Sequence, residues 1–135
     1  MTYSFEQFMN ALRVVETGGT PKKGQGVIGD NGKARGPYQI WRVYYVDAAK
    51  YLERDSCSLV APCTYEDCDY LKPAGLIVWL YMQRYAKKAL LAGDWERCAR
   101  THNGGPYGYR KKSTVPYWEK VKSTLENIYG KTSIS

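Results

Sequence analysis

The stretch Pro73-Ala-Gly-Leu-Ile-Val-Trp-Leu-Tyr-Met82 decides the fold, because it contains the longest apolar run of the chain. A proline suits the first turn of a helix, where its missing N–H is not needed. Since the following residues are apolar on most sides, the sequence predicts a buried central helix from Pro73 to about Leu91. The run is far shorter than the roughly 20 residues that a membrane span needs, so we expect no membrane span.

Amphipathic helices are predicted on both sides of this central helix. Ser4 and Gln7 have the spacing of a capping box, and Gly18-Gly19 can end the helix that they begin. Asp94 can cap a later helix, and Pro116 suits the first turn of the last one. The predicted helices other than the central one cover residues 4–17, about 41–52, about 95–101 and 116–129.

A loop-rich region follows the first helix. Residues 20–36 are rich in Gly, Lys and Asp, and Gly29-Asp-Asn-Gly32 is a strong turn sequence. This stretch predicts a turn-laden loop with a small hairpin, and residues 54–72 are predicted to be irregular. The 135 residues contain no repeat and no linker long enough to separate domains. We therefore predict a single domain, 1–135, of the α+β class and predominantly α-helical.

The composition favours a polyanionic or sugar-rich partner. The net charge is +7, and 13 Tyr and 4 Trp stand against only 2 Phe. Positive charge favours nucleic acid, anionic lipid or an acidic cell wall, but it also serves a merely soluble surface. A basic nucleic-acid-binding module is therefore one alternative. Against it, the chain has no zinc-finger or RNP-like motif, and its basic residues are scattered apart from residues 21–23 and 110–112.

The four cysteines are Cys57, Cys63, Cys68 and Cys98. We predict at least one disulfide, in which Cys57 and either Cys63 or Cys68 take part, although buried thiols are the alternative. A disulfide implies an oxidising compartment, so we expect a secreted, lysosome-like or periplasmic protein. The polar segment after Met1 shows no signal peptide. The spacings are not those of a zinc site, and with one histidine in the chain we expect no metal and no cofactor.

Two carboxylates are candidates for catalysis. Glu16 lies in the last turn of the first predicted helix, where the negative end of the helix dipole disfavours a charged carboxylate. Such a position suits a group that must carry a proton as a general acid. Asp30 lies in the loop that returns from this helix, so the two side chains can flank a groove, as glycoside hydrolysis requires. The structural alternatives are an exposed helix-end glutamate and a turn-forming aspartate.

Two further segments can supply a ligand site. Residues 36–47 contain Tyr38, Gln39, Ile40 and several other aromatic residues close to a carboxylate, and amides with aromatic faces often hold sugars. Residues 102–106, His-Asn-Gly-Gly-Pro, place the only histidine beside an amide at a predicted helix end. Each segment has a structural alternative, a strand entering a helix in the first case and a helix cap in the second.

Taken together, these segments are similar to the invertebrate-type (i-type, destabilase) lysozymes. The similar segments are, in order, Glu16–Gly19, Gly29–Gly32, Gly36–Ile40, Tyr44–Asp47, Tyr81–Tyr85, Ala99–Pro106 and Thr114–Val121. The resemblance covers residues 12–122, and its His-Asn-Gly-Gly-Pro segment is specific. The chain departs from the family's cysteine-dense pattern, since no cysteine precedes Cys57 and Arg35 stands where the family usually has one.

The resemblance implies a lysozyme-like fold, peptidoglycan as the partner, and hydrolysis of the β-1,4 bond between N-acetylmuramic acid and N-acetylglucosamine by a monomer. It implies Glu16 as the proton donor and Asp30 as the second carboxylate. The positions that match the family's sugar-binding groove are Gln39, Ile40, Tyr44, Tyr81, His102, Asn103 and Gly104, with Tyr38 beside them. A lytic transglycosylase that uses Glu16 alone is the alternative within enzymes.

Overall fold

The computed structural model describes residues 2–19, 21–54 and 64–131, and these contain six α-helices and a small three-stranded sheet. The helices are α1 (Phe5–Thr17), α2 (Arg42–Arg54), α3 (Leu71–Tyr85), α4 (Lys87–Ala92), α5 (Trp95–Gly104) and α6 (Val115–Tyr129). The strands are β1 (Ile28–Gly29), β2 (Ala34–Arg35) and β3 (Ile40–Trp41). The predicted α+β, predominantly helical class is therefore confirmed.

Local signals set both ends of α1 as predicted. The Ser4 Oγ accepts a hydrogen bond from the Gln7 N–H at 3.1 Å, and the Gln7 Oε1 accepts one from the Ser4 N–H at 2.9 Å. Gly18 adopts the left-handed conformation at φ 74° and donates to the Val14 carbonyl. These caps satisfy backbone groups that a helix end leaves without partners, so α1 stops directly after Glu16 and Thr17.

The central helix α3 is buried as predicted, but the prediction that it continues to Leu91 is wrong. Ala86 leaves the helical region at φ −145° and ψ 36°, and the separate helix α4 begins after it. Nothing local favours the break, because alanine is a strong helix former. The turn allows Ala86 and Ala89 to be buried against the core while the lysines between them stay exposed. Tertiary packing, rather than helix propensity, ends α3.

The strands form the predicted hairpin and one additional strand. β1 pairs antiparallel with β2, which pairs antiparallel with β3, and Asp30–Gly32 form the turn between the first two. The sheet is small, and Ile40 of β3 belongs to the hydrophobic core. The sheet therefore holds the Asp30 turn and the start of α2 at fixed positions beside the helical core.

The remaining helices follow the predicted signals with shifted ends. The Asp94 side chain accepts a hydrogen bond from the Arg97 N–H and caps α5, which extends to Gly104, beyond the predicted end at about residue 101. α6 begins at Val115 with Pro116 in its first turn and ends at Gly130. No helix among the described residues is long and apolar enough to cross a membrane.

Two of the cysteines can be placed. Cys68 lies in a 3₁₀ turn formed by Tyr65–Asp69, within the stretch predicted to be irregular, and it is buried. Cys98 on α5 is a buried thiol, and burial raises its pKa to about 12. Cys57 and Cys63 lie outside the described residues, so the disulfide remains a prediction.

Gly36, at the end of β2, allows the closest backbone approach at the sheet. Its φ is +81°, and a Cβ there would overlap the carbonyl oxygen of Cys68. Gly32 has a similar φ of +89° but open space around it. We expect Gly36→Ala to lower the free energy of unfolding by more than about 3 kcal/mol, and Gly32→Ala by only about 1–2 kcal/mol, because the second change strains φ alone. Urea denaturation measures both; equal losses would contradict a steric role for Gly36.

Candidate active site

A groove of about 600 Å³ opens where α1, the hairpin turn, α2, α3 and the end of α5 meet. We call it the central groove. It is lined by Glu16, Asp30, Gln39, Trp41, Val43, Tyr44, Asp47, Tyr81, His102, Asn103, Gly104, Gly105 and Pro106. Both candidate carboxylates and most of the predicted ligand-binding residues therefore lie in one place.

Glu16 presents a partly buried carboxyl group to this groove, with 20% of its side chain exposed. Its Oε2 accepts a hydrogen bond from the Tyr117 hydroxyl at 2.8 Å and lies 3.2 Å from the His102 Nε2. Among the described residues, no hydrogen bond reaches Oε1. Hydrogen-bond partners on the side away from the groove thus hold Oε2, while Oε1 remains available for proton transfer.

The contacts of His102 define which of its ring nitrogens carries the hydrogen. Its Nε2 lies 3.2 Å from the backbone carbonyl oxygen of Tyr38, which can only accept, so Nε2–H is the donor. The same N–H points at the Glu16 Oε2. The Nδ1 of this tautomer then accepts from the Tyr44 hydroxyl at 2.9 Å. His102 therefore connects four separate segments of the chain behind the groove.

Buried tyrosines form the wall next to His102. The rings of Tyr44 and Tyr81 are stacked, with centroids 3.7 Å apart and an interplanar angle of 9°. Burial raises the pKa of both phenols above the usual value, and the neighbouring Tyr81 and Glu16 add to this effect at Tyr44. Burial and the adjacent Glu16 likewise raise the pKa of Tyr117. All three hydroxyls therefore remain protonated hydrogen-bond donors at neutral pH.

The raised pKa values of these tyrosines lead us to expect that the folded protein becomes less stable at alkaline pH. Their pKa values are raised in the folded protein, whereas unfolded tyrosine ionises near pH 10. Their contribution is therefore fully present below about pH 10 and is lost as the pH rises further. In thermal melts between about pH 8 and about pH 11, the Tm should be constant up to about pH 10 and should fall above that pH. Tyr81→Phe should flatten this fall, and a constant wild-type Tm up to about pH 11 would refute the argument.

Asp30 lies at the start of the hairpin turn. Its φ is +49° and that of Asn31 is +56°, so the turn places two consecutive residues in the left-handed region. Aspartate and asparagine tolerate this conformation better than other non-glycine residues, which explains the turn sequence. The exposed Asp30 side chain lines the central groove together with Glu16, so it is placed for chemistry as well as for the turn.

Gln39 braces the hairpin from inside. Its φ is +51°, and its side-chain NH₂ donates to the carbonyls of Val27 at 3.1 Å and Gly36 at 3.0 Å. Its Oε1 lies so close to Gly29 that a Cβ there would overlap it. Because both amide hydrogens are used by the backbone, only the Oε1 remains to accept a hydrogen bond from a ligand.

The other predicted site residues divide between the groove and the core behind it. Asn103 is exposed and lines the groove with Gly104. Tyr38 and Ile40 are only 4% and 1% exposed, and they do not line it. Tyr38 instead contributes its backbone carbonyl to His102. The structure therefore places these two side chains in the core that supports the groove.

The structure adds Tyr117, from outside the two predicted segments, and further residues from within those segments that were not predicted individually. Tyr117, on α6, contacts Glu16 although the two are 101 residues apart. Trp41 is 42% exposed and Val43 72% exposed, and both line the groove. Asp47, Gly105 and Pro106 complete the lining. The cluster of aromatic residues after Ile40 was a usable signal for Trp41, whereas no local signal identifies Tyr117.

Comparisons of the sequence with known proteins point to one family. A sequence profile described as destabilase matches residues 16–124. A lysozyme of Meretrix lusoria is 36% identical over 88 residues, and "Invertebrate-type lysozyme 6" of Caenorhabditis elegans is 38% identical over 90 residues. Each match covers 64% of this chain and 64% of the relative, so the chain spans just under two thirds of the length of these relatives.

Solved structures extend the similarity over the whole fold. The chain resembles one in the crystal structure of Aeromonas hydrophila PliI in complex with Meretrix lusoria lysozyme, with a TM-score of 0.66 and 28% identity. A structure of inhibitor-bound lysozyme from Meretrix lusoria gives a TM-score of 0.64, also at 28% identity. Both matches cover 96% of this chain and 94% of the other. The protein therefore belongs to the destabilase family, with invertebrate-type lysozymes as relatives, and it has a lysozyme-like α+β fold.

Proposed function

We propose that this protein is a lysozyme that hydrolyses the β-1,4 bond between N-acetylmuramic acid and N-acetylglucosamine in bacterial peptidoglycan. The observation that supports this most directly is the position of Glu16 and Asp30. They come from different elements, the end of α1 and the hairpin turn, and both side chains line the central groove. We also propose that it acts in a secreted or periplasm-like compartment, where peptidoglycan is accessible.

In this proposal Glu16 is the general acid. Its Oε1 donates a proton to the glycosidic oxygen, the bond from that oxygen to the anomeric carbon of N-acetylmuramic acid breaks, and N-acetylglucosamine leaves with a free 4-hydroxyl. Asp30 attacks or stabilises the anomeric carbon. Glu16 then takes a proton from a water molecule that attacks the anomeric carbon. Any bond from this carbon to Asp30 breaks, the Asp30 carboxylate is restored, and N-acetylmuramic acid is left with a reducing end.

The groups behind Glu16 support this role by fixing the carboxyl group. The Tyr117 hydroxyl and the His102 Nε2–H both point at Oε2, so the reactive proton is directed to Oε1. A carboxyl group that is held in one orientation needs less rearrangement during proton transfer. We assign Tyr117 and His102 as positioning residues.

The groove lining suits neutral sugars better than a phosphodiester chain. Among the described residues, it contains three carboxylates, those of Glu16, Asp30 and Asp47, and no lysine or arginine. The exposed ring of Trp41 offers an apolar face for a pyranose, and Asn103 offers an amide. This charge pattern is the reason that we do not propose a nucleic acid as the ligand of this groove.

Mass analysis of the products from purified peptidoglycan tests the proposal. A hydrolase adds one water at each cut, so we expect muropeptides with a free reducing end. A lytic transglycosylase, which works with one acid, releases 1,6-anhydromuramic acid, lighter by one water. Predominance of the anhydro product would overturn the hydrolytic mechanism and the role of Asp30. Unchanged peptidoglycan would overturn both enzyme proposals.

A further inference from the structure

A second groove adjoins the central groove on the far side of Trp41 and Val43, which line both. We call it the side groove. It has a volume of about 540 Å³ and is lined by Ile28, Gly32, Lys33, Arg35, Trp41, Arg42, Val43 and Tyr65. The two grooves share a wall, so one branched ligand can occupy both.

The two grooves carry opposite charges. Within the part of the chain that the structure describes, the central groove is lined by the carboxylates of Glu16, Asp30 and Asp47 and by no lysine or arginine. The side groove is lined there by Lys33, Arg35 and Arg42 and by no carboxylate. A ligand that spans both grooves is therefore favoured if its neutral part lies in the first and its anionic part in the second.

Two of the three cations in the side groove are available to a ligand. Arg35 is held by Asp69, with its Nε 2.9 Å from the carboxylate Oδ1. The Lys33 ammonium lies 5.8 Å from the centre of the Trp41 ring, and among the described residues no carboxylate lies within ion-pair distance of it. This lysine can turn towards an anion without breaking an ion pair.

Arg42 is the second available cation. Its guanidinium lies over the Tyr65 ring, 4.7 Å from the ring centre. Its only carboxylate neighbour among the described residues is Glu66, at 3.9 Å, and both of these side chains are about two thirds exposed. An exposed pair at this distance is weak, so a ligand carboxylate can compete with Glu66. The contact with the Tyr65 ring keeps the Arg42 guanidinium at the groove.

We propose that the side groove binds the peptide stem of peptidoglycan through its carboxylates, while the central groove holds the glycan; this inference rests on the proposed function. The stem is attached by an amide to the lactyl group of N-acetylmuramic acid, so the sugar chain beneath it is neutral. The stem itself carries free carboxylates and alanine methyl groups. The exposed Ile28 and Val43 offer apolar surface for these methyl groups.

The turnover experiment compares two substrates. One is uncross-linked peptidoglycan strands with their stems, freed of wall polymers. The other is the same strands after an amidase has removed the stems and the lactyl carboxylates that this exposes have been converted to methyl amides, so that the glycan stays neutral. For the double variant Lys33→Gln/Arg42→Gln we expect kcat/KM to fall about three- to tenfold on the first substrate, mainly through KM, and to change less than twofold on the second. The control Lys87→Gln/Lys88→Gln removes the same charge from exposed positions on α4 and should behave like the wild type on both.

A binding experiment separates this inference from the proposed function. In a Glu16→Gln background, retention is measured on resins that carry immobilised glycan strands with stems or without them, so no turnover is needed. We expect stems to strengthen binding, and Lys33→Gln/Arg42→Gln to remove that difference. If the wild type cleaves neither substrate but the stem-dependent retention is present and sensitive to these substitutions, the proposed function fails and the side groove still binds stems.

The remaining outcomes overturn the inference. If Lys33→Gln/Arg42→Gln lowered kcat/KM equally on both substrates, the side groove would contact the glycan. Losses in the α4 control would mean that net charge alone attracts the protein. A loss seen only on walls that retain phosphodiester polymers, and not on purified peptidoglycan, would identify a polyanion of that class as the ligand. Stem-independent retention in the Glu16→Gln background would also exclude a stem site.

Discussion

Glu16→Gln should lower turnover of peptidoglycan by about 10³-fold or more, because the amide cannot donate the proton that the leaving oxygen needs. The glutamine has nearly the same shape, and its carbonyl oxygen can still accept the hydrogen bond from Tyr117. The fold should therefore be unchanged. Release of soluble reducing ends from purified peptidoglycan measures the rate, and circular dichroism checks the fold.

A matched control for this variant is available on the same helix. Glu6→Gln makes the same chemical change in the exposed first turn of α1, remote from the lining of the central groove. It removes a favourable interaction with the helix dipole, worth about 0.3–1 kcal/mol, and should leave turnover at the wild-type level. If Glu16→Gln kept more than about a tenth of the wild-type rate, general acid catalysis by Glu16 would be excluded.

Asp30→Asn should lower turnover by about 10²- to 10³-fold, because an amide neither attacks nor stabilises the developing positive charge at the anomeric carbon. The substitution suits the backbone, since asparagine tolerates the φ of +49° at this turn. Kinetics on purified peptidoglycan measure the loss. NMR of the first product formed by the wild type should show retention of the anomeric configuration, which a nucleophilic or ion-stabilising Asp30 requires.

The turn itself provides the control for Asp30. Asn31→Asp occupies the same left-handed conformation, at φ +56°, and moves a carboxylate by one residue. It should keep wild-type turnover, and combined with Asp30→Asn it should not restore the lost rate. A fully folded Asp30→Asn with near-normal turnover would reduce Asp30 to a turn residue and leave Glu16 as the only acid.

The parts of the fold that could be predicted from sequence are those set by local backbone chemistry. The capping box at Ser4 and the Gly18 stop depend on groups within one helical turn. The hairpin turn depends on Asp30-Asn31-Gly32, whose residue types accept positive φ. The break at Ala86 could not be predicted, because it results from packing against distant elements and contradicts the propensity of alanine.

The site shows the same division between local and distant determinants. Glu16 and Asp30 became candidates through their positions relative to a helix end and a turn, and the resemblance to the invertebrate-type lysozymes singled them out. Tyr117 could not, because its contact with Glu16 joins residues 101 positions apart. The patterns around Gln39 indicated a polar group at the groove, but its two hydrogen bonds to backbone carbonyls appear only once the hairpin is folded.

The contacts of His102 and Glu16 have a consequence for assembly of the molecule. Their hydrogen bonds join residues separated by 58, 64, 86 and 101 positions, so they close long loops and have high contact order. A fragment that lacks α6 has no Tyr117 hydroxyl to hold the Glu16 carboxyl group, and a fragment that lacks α5 has no His102. Orientation of the Glu16 carboxyl group therefore requires the completed tertiary structure. Loss of the proposed lysozyme activity on heating should coincide with the global, cooperative unfolding transition.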